Sequence, residues 1–521
     1  MLAFENLKES LPENWEIAKL DDICEILDRQ RIPVNIKDRQ SRISGKDKRL
    51  LFPYYGATGQ VGWIDDYIFD GEYILLGEDG APFLEVFKSK AYIVNGKFWV
   101  NNHAHVLKSY SSNRYLCHYL NQLDYRYFVT GTTRLKLNQA AMKQIPIKVP
   151  PLPEQHAIVE KIEELFSELD NGIESLKKAR EQLKTYRQAV LKYAFEGKLT
   201  QEWREQQIQA GNLPEPAEKL LERIKEEREA HYQQQVEEWK KACEQAKKDG
   251  SKNPAKPRKP KDLPPLTEKE LAELPELPEG WGWCYPESVC STDNYSIGIG
   301  PFGSNLKVAD YKSEGIPLIF VKHITNENFS INQKYVSKEK FQELIPHSVK
   351  PLDILITKMG DPPGDCTIYP ENNSIAILTA DCLKFRVWEK FADRRYVMNC
   401  LKNVYVKKQL GLITKGVAQK KISTERFKTL KLPITNLNEQ QAIVSEIETR
   451  LSVCDQLEKT IEDSLKKAEA LRQSILKKAF EGELTREWRA EHPELISGEN
   501  SAESLLARIR EEKAQLKGIK R

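Results

Sequence analysis

The sequence predicts an α+β chain: two globular domains separated by two long helices that form an antiparallel coiled coil, arranged as an internal pseudo-twofold repeat. Three observations carry that expectation. EQHAIV at 154–159 returns as EQQAIV at 439–444, and AFEGKLTQEWR at 194–204 returns as AFEGELTREWR at 479–489, both pairs 285 positions apart. A seven-residue apolar period follows each of the first anchors, the spacing that turns one stripe of a helix toward a partner helix. Between the repeated blocks lie stretches of little mutual similarity, opened by LPENW at 11–15 and LPEGW at 277–281.

In chain order, residues 1–150 form the first globular domain and 151–205 the first spacer helix. Ile162, Leu169, Leu176, Leu183 and Val190 recur every seven residues, with Leu165, Ala179 and Tyr186 interleaved at the second seam position. The VPPLPEQ lead suits a helix start, because proline is tolerated in a first turn and Glu154 favours the positive end of the helix dipole. Gly197 marks the stop. About 42 residues at ~1.5 Å rise give a rod of about 60 Å, enough to hold two domains apart; ordinary bundle packing is the alternative. Residues 206–276 follow as a helical extension and a charged linker. Its basic run (Lys252, Lys256, Arg258, Lys259, Lys261) is a solvated tether or a phosphate contact. Residues 277–435 form the second globular domain, and 436–490 the second spacer helix. Its seam is Ile447, Cys454, Ile461, Ala468 and Ile475, with Leu457 and Leu471 interleaved and Gly482 at the stop. A C-terminal helical extension over 491–521 repeats AEKLLERIKEE of 217–227 as AESLLARIREE. Two matched helices are natural partners, and an antiparallel pair generates a pseudo-twofold axis.

Composition narrows the function. The chain of 521 residues carries 30% charged residues and a net charge of only +3, so local rather than global charge must identify a partner. Neither an apolar stretch of membrane-spanning length nor a signal-peptide pattern is found. A cytoplasmic protein with no membrane partner is expected. The nine cysteines are scattered without a C-x-x-C pair, which reads as reduced, buried residues rather than disulfides or zinc ligands.

Each variable stretch ends in a basic segment just before its long helix. Arg394 to Lys431 holds eleven Lys/Arg against Glu425 alone, and Lys108 to Lys148 holds seven against Asp124 alone, with tyrosines interleaved in both. Clustered cations that release counterions, beside side chains able to reach base edges, are the requirement for nucleic-acid binding. Within these segments GTTRLKLN at 131–138 and KGVAQKKIS at 415–423 occupy one repeat position. Glycine allows close backbone approach, leaving Arg134, Lys136, Lys415, Gln419, Lys420 and Lys421 as candidate DNA contacts; a turn that feeds the next helix is the plain alternative. Arg29 to Arg49, with eight basic residues and two acids, adds Arg42 and Arg49 as a DNA-facing or merely exposed loop. His103 and His105 of NNHAH are read as polar contacts beside DNA or as packing, in preference to metal ligands, because no other ligand type accompanies them.

Catalytic motifs are missing from the pattern. GIGPFG at 298–303 has proline inside its glycine spacing and no helix after it, so it is read as a loop near the DNA and not as a nucleotide site. GDPPG at 360–364 carries Gly364 where an adenine methyltransferase would place its stacking aromatic, and is read as a turn. No phosphate-binding GxxxxGK[ST] loop exists. The chain is expected to bind without catalysing.

With these residues in place the sequence resembles the specificity subunit of type I restriction-modification systems along nearly its whole length. The motifs that carry the resemblance are LPENW and LPEGW, FPYYGATGQVGWIDDYIFDGEYILLGEDGA at 52–81, DILITKMGDPPG at 353–364, PLPEQHAIV and NLNEQQAIV, and the doubled AFEGxLTxEWR. The resemblance implies two target-recognition domains that each read half of a split double-stranded DNA site, held by the helices as a spacer. It implies two methyltransferase (modification) subunits that use S-adenosylmethionine, and motor-nuclease (restriction) subunits that use ATP and Mg, with no cofactor in this chain. Docking on one face of a duplex would set the half-sites roughly 10 base pairs apart. Two rivals stand: a coiled-coil assembly protein with solvated basic faces, and a single-chain methyltransferase or nuclease with disguised motifs.

Overall fold

A computed structural model describes residues 11–415 and 420–519, with side chains through Leu516. The chain divides into two compact units, Met1–Ala179 with Thr460–Arg521 and Arg180–Lys459. Each unit therefore takes part of both long helices, Leu152–Phe195 and Leu437–Phe480, which run 44 residues each.

The first unit contains three sheets. Glu16–Lys19 pairs with Pro146–Val149, closing the ends of the domain on each other. One four-stranded antiparallel sheet runs Cys24–Ile26, Ala104–Ser109, Tyr73–Gly77, Ala91–Val94. The other runs Gly59–Ile64, Phe52–Gly56, Lys97–Val100, Phe69–Asp70, with one parallel pair, Phe52–Gly56 with Lys97–Val100. Burial on both faces of Tyr73–Gly77 explains its continuous YILLG run.

The second unit repeats this plan strand for strand. Gly282–Cys284 pairs with Leu432–Ile434. One sheet runs Ile297–Ile299, Cys382–Phe385, Ile354–Thr357, Cys366–Ile368, and the other Tyr335–Val336, Ile316–Ile319, Ala376–Leu378, Ser348–Val349, again with its parallel pair in the middle. Gly300 of GIGPFG directly follows strand Ile297–Ile299, where a Cβ would lie 2.1 Å from the Thr379 carbonyl carbon. Close approach to that backbone accounts for the glycine, and the residues after it leave the strand as the expected loop. Gly364 of GDPPG donates its N–H to the Thr357 carbonyl at 2.9 Å, which makes it the expected turn.

The core of each domain includes the end of the long helix that belongs to the other repeat. Ile475, Leu476, Ala479 and Phe480 pack with Tyr115, Tyr119 and Ile147 in the first unit. Val190, Ala194 and Phe195 pack with Tyr396, Phe427 and Ile434 in the second. Within each unit the helical segments pair antiparallel: Arg472 binds Asp170 where Thr485 binds Glu154, and Arg187 binds Asp455 where Arg204 binds Glu439. The heptad seam of the second helix, Ile447, Cys454, Ile461, Ala468 and Ile475, is buried throughout. The interleaved Leu457, Leu471 and Tyr186 are exposed instead. In the first helix Ile162 and Val190 are buried, while Leu169, Leu176 and Leu183 are half-buried, as are Leu165 and Ala179 of the second row.

Candidate nucleic-acid interface

The repeated motifs converge on one buried carboxylate in each unit. Glu154, in the first turn of its long helix, accepts from Trp15 Nε1 of LPENW at 2.9 Å, from Thr485 Oγ1 at 2.7 Å and from the Arg489 guanidinium, which also donates to the Gly482 carbonyl. Glu439 accepts from Trp281 Nε1 of LPEGW at 3.0 Å, Thr200 Oγ1 at 2.9 Å and Arg204 Nη1 at 2.6 Å, and Arg204 also donates to the Gly197 carbonyl. An ionised carboxylate can be buried only when several donors surround it. The three repeated sequences supply those donors, and together they fix each recognition domain to a helix end.

The described residues of the two glycine loops make matching backbone contacts. Thr130 and Lys136 exchange backbone hydrogen bonds at 2.9 and 2.8 Å, and Lys415 and Lys421 do so at 3.1 and 2.9 Å. Each loop then bridges to the loop leaving the central strand of its sheet: Lys136 to Asp79, and Lys421 to Met359. Leu137 N–H donates to the Glu78 carbonyl at 2.7 Å, and Ile422 N–H to the Lys358 carbonyl at 3.0 Å. Glu78 and Lys358 thus hold one structural position with opposite charge. Gly131 sits at φ +98°, where a Cβ would lie 2.5 Å from the Arg134 carbonyl oxygen, so the turn requires glycine.

The expected site residues fall into distinct surroundings. Arg134 Nη2 pairs with Asp79 Oδ1 at 2.8 Å, and Lys136 Nζ with Glu78 Oε1 at 3.3 Å, both cations more than half exposed. Lys420 Nζ pairs with Asp361 Oδ1 at 2.6 Å, while Lys415 and Lys421 are exposed. Gln419 lies outside the described residues. Arg42 is bound to Asp65 at 2.6 Å and stacks over Trp99, so it pins helix Ile36–Ile43 to the sheet. Arg49 is exposed beside it in sequence. His103 Nδ1 lies 2.6 Å from Asp79 Oδ1.

His105 does not reach solvent. Its ring is buried, with Nδ1 2.6 Å from Asp28 Oδ2 and Nε2 2.9 Å from the Leu137 carbonyl, so it holds the glycine loop from beneath and leaves the set of direct contacts. Burial opposes the charge on Asp28, but hydrogen bonds from His105 and Val106 and the nearby Arg31 outweigh it and hold its pKa below the ordinary carboxylate value. Asp28, Glu78 and His105 are close enough to share an ion. Arg31, 2.7 Å from Glu78, and Lys136 already supply the positive charge there, so the cluster is an ion-pair network.

Sequence reasoning missed the carboxylates that face the cations, because GEDGA served only as a family mark. Tyr127, one of the interleaved tyrosines, is 86% exposed, and Leu412, which sequence reasoning missed, is 79% exposed. They occupy one repeat position just before the two loops, a signal that the 285-residue offset contained.

A family model described as the type I restriction modification DNA specificity domain matches residues 12–184 and 305–467. The chain is 24% identical to the type I restriction enzyme EcoDI specificity subunit of Escherichia coli over 529 aligned residues, covering 98% of both chains. It is 27% identical to the EcoKI specificity subunit of Escherichia coli K12, covering 75% of this chain and 68% of that one. A chain from a structural study of complex assembly and conformational transition of the type I R-M system superposes with TM-score 0.57 at 16% identity, over 91% of this chain and 99% of that one. This last likeness concerns the fold.

Proposed function

This chain belongs to the type I restriction modification DNA specificity family, and from that premise we propose that it directs partner subunits to a bipartite, asymmetric double-stranded DNA site without catalysing chemistry itself. One observation carries the reading: both domains present a basic glycine loop bridged to the loop after the central strand, on the same strand plan. Exposed cations at both loops suit phosphate contact, which positions a duplex and makes binding salt-dependent. The loops themselves differ. Arg134 and Lys136 lie against Glu78 and Asp79, whereas Lys420 and Lys421 lie near Lys358 and Asp361, so the two domains read different half-sites. Methylation is then the work of two methyltransferase subunits with S-adenosylmethionine, and cleavage that of motor-nuclease subunits with ATP and Mg, in the cytoplasm.

Adenine-methylation mapping tests this in cells that express the chain with its cognate methyltransferase subunit, against cells without the chain. A split, asymmetric motif that depends on the chain is the expected outcome. Methylation unaffected by its removal would leave the assembly reading in its place.

A further inference from the structure

The cations of the first domain's glycine loop are already neutralised. Asp79 Oδ1 lies 2.8 Å from Arg134 Nη2 and 2.6 Å from His103 Nδ1, and its side chain is largely shielded while that of Arg134 is open to solvent. The guanidinium lies over Gly80, where a Cβ would be 3.5 Å from Nε. These side-chain pairs are not needed to shape the loop. Backbone bonds do that: Gly80 N–H to the Leu135 carbonyl, Leu137 N–H to the Glu78 carbonyl, and the exchange between Thr130 and Lys136. The second domain keeps two of these, Ile422 N–H to the Lys358 carbonyl and the exchange between Lys415 and Lys421, but places Met359 at the position of Asp79 and Lys358 at that of Glu78. An acid at Asp79 is therefore a property of the first domain alone, and it answers no structural demand of the fold.

An ion pair with an exposed partner is weak. A duplex phosphate competes well against it, because each cation delivered to DNA releases condensed counterions. We propose that Asp79 is an electrostatic latch on the first recognition domain: without DNA its carboxylate holds Arg134, and a backbone phosphate takes its place when the duplex docks. The latch lowers affinity for any duplex and withholds Arg134 until the contacts of a matching site hold the domain in place. In the second domain Lys420 is likewise paired, with Asp361, but Lys421 stands near Lys358 without an ion pair among the described residues, and it carries the initial attraction. This inference rests on the DNA-recognition reading above.

The test is duplex binding by the full chain across a salt series, with a fluorescent mixed-sequence duplex as probe. Asp79→Asn is expected to bind it several-fold more tightly and to steepen the salt slope by about one unit, since no freed carboxylate then recaptures a cation. Asp79→Glu, which keeps the charge, is expected to bind as the native chain does. On an Arg134→Ala background, itself weaker, Asp79→Asn is expected to change nothing further. Native affinity and slope in Asp79→Asn, with Arg134→Ala still weakening binding, overturns the latch and leaves DNA recognition standing. Absence of salt-dependent duplex binding by the native chain overturns both.

Discussion

Glu154 and Glu439 show how a handful of repeated residues can organise a long chain. Each is a fully enclosed carboxylate in the first turn of a 44-residue helix, satisfied by a tryptophan, a threonine and an arginine from distant motifs. Removing one partner of such a buried pair strands the other charge, at a cost of about 3–5 kcal/mol. Arg489→Met and Arg204→Met are each expected to lose stability on that scale in chemical denaturation, more than Arg114→Met, whose partner Glu163 is exposed. Equal losses would reduce the buried network to ordinary surface pairing. Lys384 is the corresponding cation inside a sheet of the second unit. Burial, reinforced by Arg386, pulls its pKa down from 10.5 to about 8. The folded state then binds fewer protons than the unfolded one between those values, so stability must rise with pH across that window. Lys384→Met is expected to flatten this rise in melting temperature from pH 8 upward; an unchanged rise would assign it to other groups.

The ends of the long helices are decided by single glycines. Gly197 and Gly482 sit at φ +69° and +75°, and the N–H groups of Lys198 and Glu483 reach back to the Tyr193 and Lys478 carbonyls, closing a Schellman-type cap. A Cβ on Gly482 would lie 2.4 Å from Pro12 Cγ, and one on Gly197 2.3 Å from Pro278 Cγ. The LPExW anchors therefore press onto the helix ends. Gly172, inside the first helix, has nothing within 4 Å of its would-be Cβ. The same substitution should thus act with opposite signs: Gly482→Ala destabilises by about 1–3 kcal/mol, and Gly172→Ala stabilises by about 1 kcal/mol. Thermal melting of the two variants checks the contrast. These anchors were legible in the sequence because identical residues recur at a fixed offset. The shared strand plan was not, because a strand's inward face tolerates many apolar residues, so Tyr73–Gly77 (YILLG) and Ile354–Thr357 (ILIT) show little of their common origin. Heptad spacing likewise located the buried seam of the second helix but not the exposure of its interleaved Leu457 and Leu471.

At the scale of the whole molecule, two copies of one plan carry different charge at the loops proposed to meet DNA. The basic segments and glycine loops were legible from sequence, since like charges clustered twice at one repeat position. Their counter-charges were not, because Glu78 and Asp79 reach Lys136 and Arg134 only through the fold. This pairing makes the two loops unequal. On the proposed reading Lys136 must give up its Glu78 contact to reach a phosphate, so part of the ion release would be offset by a cation taken up at the freed carboxylate. Lys421 has no ion pair among the described residues, so it would reach a phosphate without breaking one. Each cation delivered to a phosphate contributes about 0.9 to the slope of log affinity against log salt. Lys421→Ala is accordingly expected to flatten the slope by nearly one unit and Lys136→Ala by clearly less, both lowering affinity alike for matched and mixed sequences. Salt titrations of the two variants decide it: the opposite order would mean that the first domain bears the larger share of the phosphate contact, and that Glu78 yields Lys136 without cost.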